Sequence, residues 1–379
     1  MRRSHDRILT THTGSLPRPA GLTELLRRID NADLSGDDAE FRDGVRHAVG
    51  AVVAKQVEAG LSVVNDGEMS KIGYSTYVKE RLEGFGGEDV GIEIPHPDVI
   101  DFPEYMVPVM AGLTFRMPAC VGPVSYRGLE AVQTDIANLR AAVGEAGAAD
   151  AFLTAASPGV VAVFLANRSY PTHEAYIYAL ADAMKAEYDE IHRSGFVLQL
   201  DCPDLAMARH VWGDQTLEDF RARIAQHVEA INHATRDIPP EAMRIHLCWG
   251  NYEGPHRHDV ALRDIIDLVL RARPAAISFE AANPRHEHEW KVFEEVALPD
   301  DTLLIPGVID STTNYVEHPE LVAERIVRFA RLVGRENVIA GTDCGFATFA
   351  DMTPVHPAIT WAKLESLTQG AGLATKELW

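Results

Sequence analysis

Short apolar, β-branched runs alternate along the chain with longer stretches in which apolar residues return every three or four positions. That alternation predicts βα units built around a parallel sheet. Eight strand-like runs fall at residues 8–13, 61–65, 151–155, 196–200, 244–248, 276–279, 302–308 and 337–341. The later strand starts are roughly 30 residues apart, the length of one βα unit. Between two of them, "HPELVAERIVRFARLVG" carries Pro319 near the first helical position and Gly334 just past the last. Val322, Ile326, Phe329 and Val333 then share the face that covers a sheet. Another helix is predicted from Phe41 to Glu58, stopped by Gly60. The expected fold is a single (β/α)8 TIM barrel spanning residues 1–379.

The stretch after the second strand breaks this rhythm. Residues 84–118 are rich in glycine and proline, and "MPACVGPVSY" is a ninth strand-like run that eight βα units do not need. An insertion at about 84–126, with a hairpin and loop over 103–126, is expected between strands 2 and 3. Two doubly wound domains fit less well, because no linker divides the chain and no strand leads into a GxGxxG turn.

With 379 residues, 46% hydrophobic and 24% charged, the chain has the composition of a globular protein. Its formal charge of -21 opposes binding to nucleic acid, which draws affinity from clustered Lys and Arg. The most apolar stretch, residues 151–166, is too short for a membrane span and contains Pro158 and Gly159. The basic start has no apolar signal-peptide core. Cys120, Cys202, Cys248 and Cys344 are scattered without a CxxC pair, so a reducing, cytoplasmic setting is expected. A homo-oligomer is compatible with all of this.

In a barrel of this kind the active site lies at the C-terminal ends of the strands. Here those ends read "THTGS", "VNDGE", "QLDCP", "HLC", "SFE", "GVIDS" and "GTDCG". His246 and Cys248, two apart on a strand, point to the same face. One imidazole and one thiolate make half of a zinc shell, and Glu280 and Cys344, ending other strands, are natural third and fourth ligands. Cys120 and Cys202 are read as buried thiols. His256, His258, His286 and His288 form a second group in loops, expected to be solvated or to face substrate.

The ordered blocks "TTHTGSLPRP", "NDGE", "QLDCP", "HLC", "SFE", "PGVID" and "TDCG" resemble the catalytic C-terminal barrel of cobalamin-independent methionine synthase. They cover nearly the whole chain and look like the single-barrel branch, which also includes epoxyalkane:coenzyme M transferases. The resemblance implies Zn2+ on His246, Cys248, Glu280 and Cys344. It implies that Gly14 and Ser15 meet the carboxylate of an amino-acid thiol while Glu68 and Asp201 hold its ammonium. The implied reaction passes a methyl group to a homocysteine-like thiol, with methylfolate or a methylated corrinoid protein as donor. The alternative is addition of a thiol to an epoxide or another electrophile. His12 and Asp310 are the candidate catalytic groups.

Two family features are missing. The tryptophan of a "GPVT…NW" block has no counterpart in "LTAASPGVVAVF", and Thr312 in "IDSTTNY" stands where the family has a histidine. A methylfolate nitrogen leaves poorly unless protonated, so the loss of that acid bears directly on the donor.

Overall fold

The computed structural model describes residues 1–90, 97–111, 115–207, 209 and 216–379. Strands β1 (Leu9–Thr10), β4 (Phe152–Ala156), β5 (Val197–Asp201), β6 (Met243–Leu247), β7 (Ala276–Phe279), β8 (Leu303–Pro306) and β9 (Ile339–Ala340) all run parallel to their neighbours. Strands β4 to β8 form one sheet in sequence order, and β1 pairs with β9. Parallel bridges join Gly307 to Gly341 and Leu304 to Val338, and Val64 to Ala151. The Ser62 and Val63 N–H groups donate to the Thr10 carbonyl, at 3.0 Å each. The fold is α/β with parallel sheets.

These strands are buried along their whole length, as strands of a parallel sheet covered on both faces are. Helix Pro319–Val333 begins as its sequence predicts: the His318 side chain accepts from Glu320 N–H, and Pro319 supplies the first turn. Val322, Ile326 and Phe329 are buried, while Val333 is only half-buried at the end of the helix. Helix Ala39–Glu58 starts at Asp38, whose carboxylate accepts from Glu40 and Phe41 N–H.

The region expected to be an inserted hairpin and loop differs in detail. Its hairpin pairs β2 (Leu82–Asp89) antiparallel with β3 (Pro118–Tyr126), so the first strand lies earlier than residue 103. Residues Pro103–Ala111 form a helix, not a loop. The glycines at 84, 86 and 87 suggest a loop, but Gly84, at φ +95, lets β2 approach the backbone of residues 122 and 123 too closely for a Cβ. No helix among the described residues is long and apolar enough to cross a membrane.

Candidate metal and thiol site

Two layers of polar side chains lie near the C-terminal ends of the parallel strands. The inner layer centres on Arg244, which donates to Gln199 Oε1 at 2.7 Å, Thr11 Oγ1 at 3.1 Å and the His12 carbonyl at 3.0 Å. Its guanidinium also lies 3.5 Å from the centre of the Phe152 ring. Gln199 donates in turn to Asp201 Oδ1 at 2.7 Å and to the Thr13 carbonyl. His12 Nε2 meets Gln56 Oε1 at 2.8 Å, and its Nδ1 accepts from Gly14 N–H at 3.3 Å.

Above this lies a cavity of about 130 Å³ whose wall includes Ser15, Glu68, Asp201, His246, Cys248 and Cys344. The Cys248 and Cys344 sulfurs are 3.6 Å apart. With a nitrogen of His246 they form a group whose candidate ligand atoms all lie within 4.8 Å of one another. His246 Nδ1 is 3.3 Å from Ser278 Oγ, while its buried Nε2 has no hydrogen-bond partner. Burial, with the Arg244 charge behind it, lowers His246 to about 3, so the ring is neutral and offers a lone pair. The hydrogen bond with Cys344, then burial, raise the Cys248 thiol.

These donors fit a zinc ion: a buried neutral imidazole with one idle nitrogen faces two buried sulfurs 3.6 Å apart, the nitrogen and soft sulfur donors that zinc prefers. Glu280 is arranged differently. Its Oε1 accepts from Trp249 N–H at 2.8 Å and its Oε2 from Asn283 Nδ2 at 2.7 Å. It stands beside Cys248 but outside the three-residue group, with its oxygens already hydrogen-bonded.

The segment carrying Glu280 is held by a residue that the sequence reading did not single out. Asp343 Oδ1 accepts from Ala281 and Ala282 N–H, and its Oδ2 from Asn283 N–H, all at 2.8 Å. The end of β7 is thereby tied to the residue beside Cys344. Gly307 makes this possible, since a Cβ there would lie 2.1 Å from Asp343 Oδ1. The only sequence signal was the position of Asp343 inside "TDCG".

Glu68 is buried with a left-handed backbone, φ +57. Its Oε1 accepts from Thr154 Oγ1 at 3.0 Å, and its buried Oε2 has no partner. Burial, followed by the Glu68 charge, pushes Asp201 well above the ordinary carboxylate range. Two carboxylates facing one cavity create a place for a cation.

Other expectations meet a different geometry. The Gly14 N–H is turned toward His12, which leaves Ser15 as the group on the cavity wall. Burial lowers His12 to about 3 against the Gln56 hydrogen bond, so its ring is neutral and engaged at both nitrogens. It supports the inner layer. Asp310 and Thr312 line a neighbouring cavity of about 280 Å³ that also includes Glu280. The Asp310 carboxylate is occupied in its own turn, accepting from Thr312 N–H, Thr312 Oγ1 and Thr313 Oγ1.

The second histidine group splits in two. His258 and His288 are exposed, but His256 and His286 are buried, with Asp259 between them at 3.1 and 3.0 Å. Burial opposes charge on His286, yet its hydrogen bonds to the Asp259 and Glu289 carboxylates push it up to about 10. The ring stacks on Trp249, with centroids 4.1 Å apart. It is a buried ion pair under the Cys248 loop, not a solvated residue. Asp259 lies three residues after His256 in "HRHD", and Glu289 three after His286 in "HEHE".

Residues 159–362 match the family described as the cobalamin-independent synthase catalytic domain. The chain belongs to that family. A methionine synthase of Thermococcus kodakarensis is 24% identical over 97% of this chain and 94% of its own length. The Bacillus subtilis protein YxjH is also 24% identical, over 93% and 91%. Among solved structures, the B12-independent methionine synthase from Shewanella sp. W3-18-1 in complex with selenomethionine superposes with a TM-score of 0.72 at 19% identity, covering 98% of this chain and 99% of that one. At that identity the likeness concerns the fold of the family.

Proposed function

We propose that this member of the cobalamin-independent synthase family transfers a methyl group to the thiol of a homocysteine-like amino acid, at a zinc ion held by His246, Cys248 and Cys344. The observation that carries the reading is the buried, partnerless His246 Nε2 facing two sulfurs 3.6 Å apart. The names of the relatives, methionine synthases from several organisms, support it. When bound, zinc supplies the charge that keeps a substrate thiol as its thiolate at neutral pH.

The chain's own residues then do the positioning. Ser278 orients the His246 ring through Nδ1, as partners of metal-bound histidines do. The idle Oε2 of Glu68, with Asp201, accepts from the substrate ammonium, and Ser15 faces its carboxylate. Glu280 is the proposed fourth group and would reach the ion through a lone pair not used by Trp249 or Asn283. Addition of a sulfonate thiol to an epoxide is disfavoured, because the idle Oε2 of Glu68 calls for a hydrogen-bond donor that a sulfonate tail does not carry.

In the same reading the parallel pairings close into one (β/α)8 barrel, with the region at about 84–126 as its insertion, and the enzyme works in the cytoplasm. Metal analysis of the purified chain should give about one zinc per chain. Homocysteine, offered with a methyl donor, should yield methionine. A metal-free protein that still makes the thioether would defeat the proposal.

A further inference from the structure

Lys71 is buried behind Glu68, and neither the zinc group nor the carboxylate pair accounts for it. Its backbone N–H donates to the Glu68 carbonyl at 3.1 Å, closing a turn. The side chain reaches β4, where its ammonium donates to the Thr154 carbonyl at 2.7 Å and to Thr154 Oγ1 at 3.0 Å. The same nitrogen stands 4.4 Å from the centre of the Tyr77 ring. Among the described residues no carboxylate pairs with it directly.

An ammonium held away from water is costly unless its charge is used. Neutralising a nearby acid is the plain explanation, and Glu187 is the plain candidate. That carboxylate already accepts from Tyr77 Oη at 2.6 Å, Tyr126 Oη at 2.7 Å and Arg81 at 3.2 Å. The Lys71 charge acts on Glu187, Asp66 and Asp201 only at longer range. Within hydrogen-bond reach it has Thr154 alone, and Thr154 leads to one place.

An ammonium carries donors and no acceptor, so Thr154 Oγ1 must accept on the Lys71 side. Its single proton is thereby directed to its other partner, Glu68 Oε1, at 3.0 Å. Ammonium, hydroxyl and carboxylate form an ordered series in which each bond polarises the next. All three side chains are at most 3% exposed, so water does not compete for them. Gly14 leaves room for the series, since a Cβ there would lie 2.6 Å from Glu68 Oε1 and 2.8 Å from the Thr154 methyl carbon. With Oε1 taken, the idle Oε2 is the oxygen left for a ligand.

We propose that Lys71 is a positioning residue for the ammonium group of the amino-acid thiol: acting through Thr154, it fixes Glu68 in the pose that leaves Oε2 to accept from that group. Lys71 itself does not touch the substrate. A thiol that carries an amino group gains from the series, and the same thiol without one gains nothing. This role rests on the ammonium site proposed above for Glu68 and Asp201.

The test compares homocysteine with 4-mercaptobutanoate, which keeps the thiol and the carboxylate but lacks the amino group, by calorimetric binding to the zinc-loaded full chain. The parent should prefer homocysteine by at least about tenfold. Lys71→Met should weaken homocysteine by about tenfold and move 4-mercaptobutanoate by less than about twofold. Thr154→Val, which keeps the lysine and removes the hydroxyl, should give the same split. Thr154→Ser, which keeps the hydroxyl, should retain the parent's preference. Combining Lys71→Met with Thr154→Val should cost no more than either change alone, because both cut one series.

A lysine that only supports the fold would weaken both thiols together or neither. Equal losses, no loss, or a split in Lys71→Met that Thr154→Val does not share would overturn the positioning role and leave the ammonium site standing. If Lys71→Met does not fold, the contrast between Thr154→Val and Thr154→Ser decides the matter. Equal binding of the two thiols by the parent would overturn the ammonium site and the role of Lys71 with it. Methionine formation has no part in this readout, so a failure of methyl transfer is recognised separately.

Discussion

The inner polar layer and the cavity above it are built from the same kinds of residue, a few ångströms apart, and they differ in how completely they are satisfied. In the inner layer Arg244, Gln199, Gln56 and His12 all find partners. In the cavity His246 Nε2 and Glu68 Oε2 are buried without any. A buried polar atom left unpaired costs about 1–3 kcal/mol. A fold that saturates one layer and leaves the next one wanting has placed that cost where a ligand can remove it.

The comparison breaks most sharply at the sulfurs. Cys344→Ser should lose the bound zinc and nearly all thioether formation, by about a thousandfold or more, while circular dichroism stays native. Stoichiometric zinc retained in that variant would show that Cys344 is no ligand. Next comes the inner layer, where Arg244→Met should destabilise the chain by about 3–5 kcal/mol in urea unfolding, because Gln199, Thr11 and the His12 carbonyl lose a buried cationic partner. The effect there should be on stability, with the folded fraction still binding zinc.

A smaller effect is expected at Glu68. Glu68→Gln should raise the KM for the amino-acid thiol by roughly 10- to 100-fold, the loss of one charge-assisted hydrogen bond. Stability should hardly change, since only the bond from Thr154 is at stake. An equal KM in mutant and parent would remove Glu68 from the ammonium site.

The smallest effect concerns pH. Burial and then Glu68 raise Asp201, so the folded chain binds a proton that the unfolded chain has lost above the ordinary carboxylate value of 3.8. The stability linked to Asp201 is therefore fully present at low pH and is lost as pH rises through the raised folded value. Asp201→Asn should flatten that decline without thiol, raising the melting temperature at pH 8 by about 2 °C for each kcal/mol relieved. A parent and variant with parallel melting curves from pH 5 to 8 would count against the carboxylate pair.

Much of the frame was legible in the sequence. Period and punctuation located seven parallel strands to within a few residues, because each is a short apolar run between helical stretches; the run at 61–65 forms no strand and is met only by the bridge from Val64 to Ala151. His246 and Cys248 could be paired by the two-residue repeat of a strand. What joins distant segments was less legible. The rings of Tyr74, Phe115, Phe164 and Phe349 pack together from four separate loops or helices, so no spacing announces them.

The hydrogen bonds of Gly14 and Glu280 were hidden for a related reason. Motif order says which residues gather, but not which lone pairs are already taken. The burial of His256 and His286 was missed because histidine in a polar loop looks solvated until a facing carboxylate, Asp259, is known to lie between the rings.

The Asp343 clamp has a consequence for how the site tolerates change. Its three backbone hydrogen bonds grip residues 281–283. They couple two stretches of chain about sixty residues apart, so a replacement at that one aspartate would displace Glu280 and Cys344 together while leaving both side chains chemically intact.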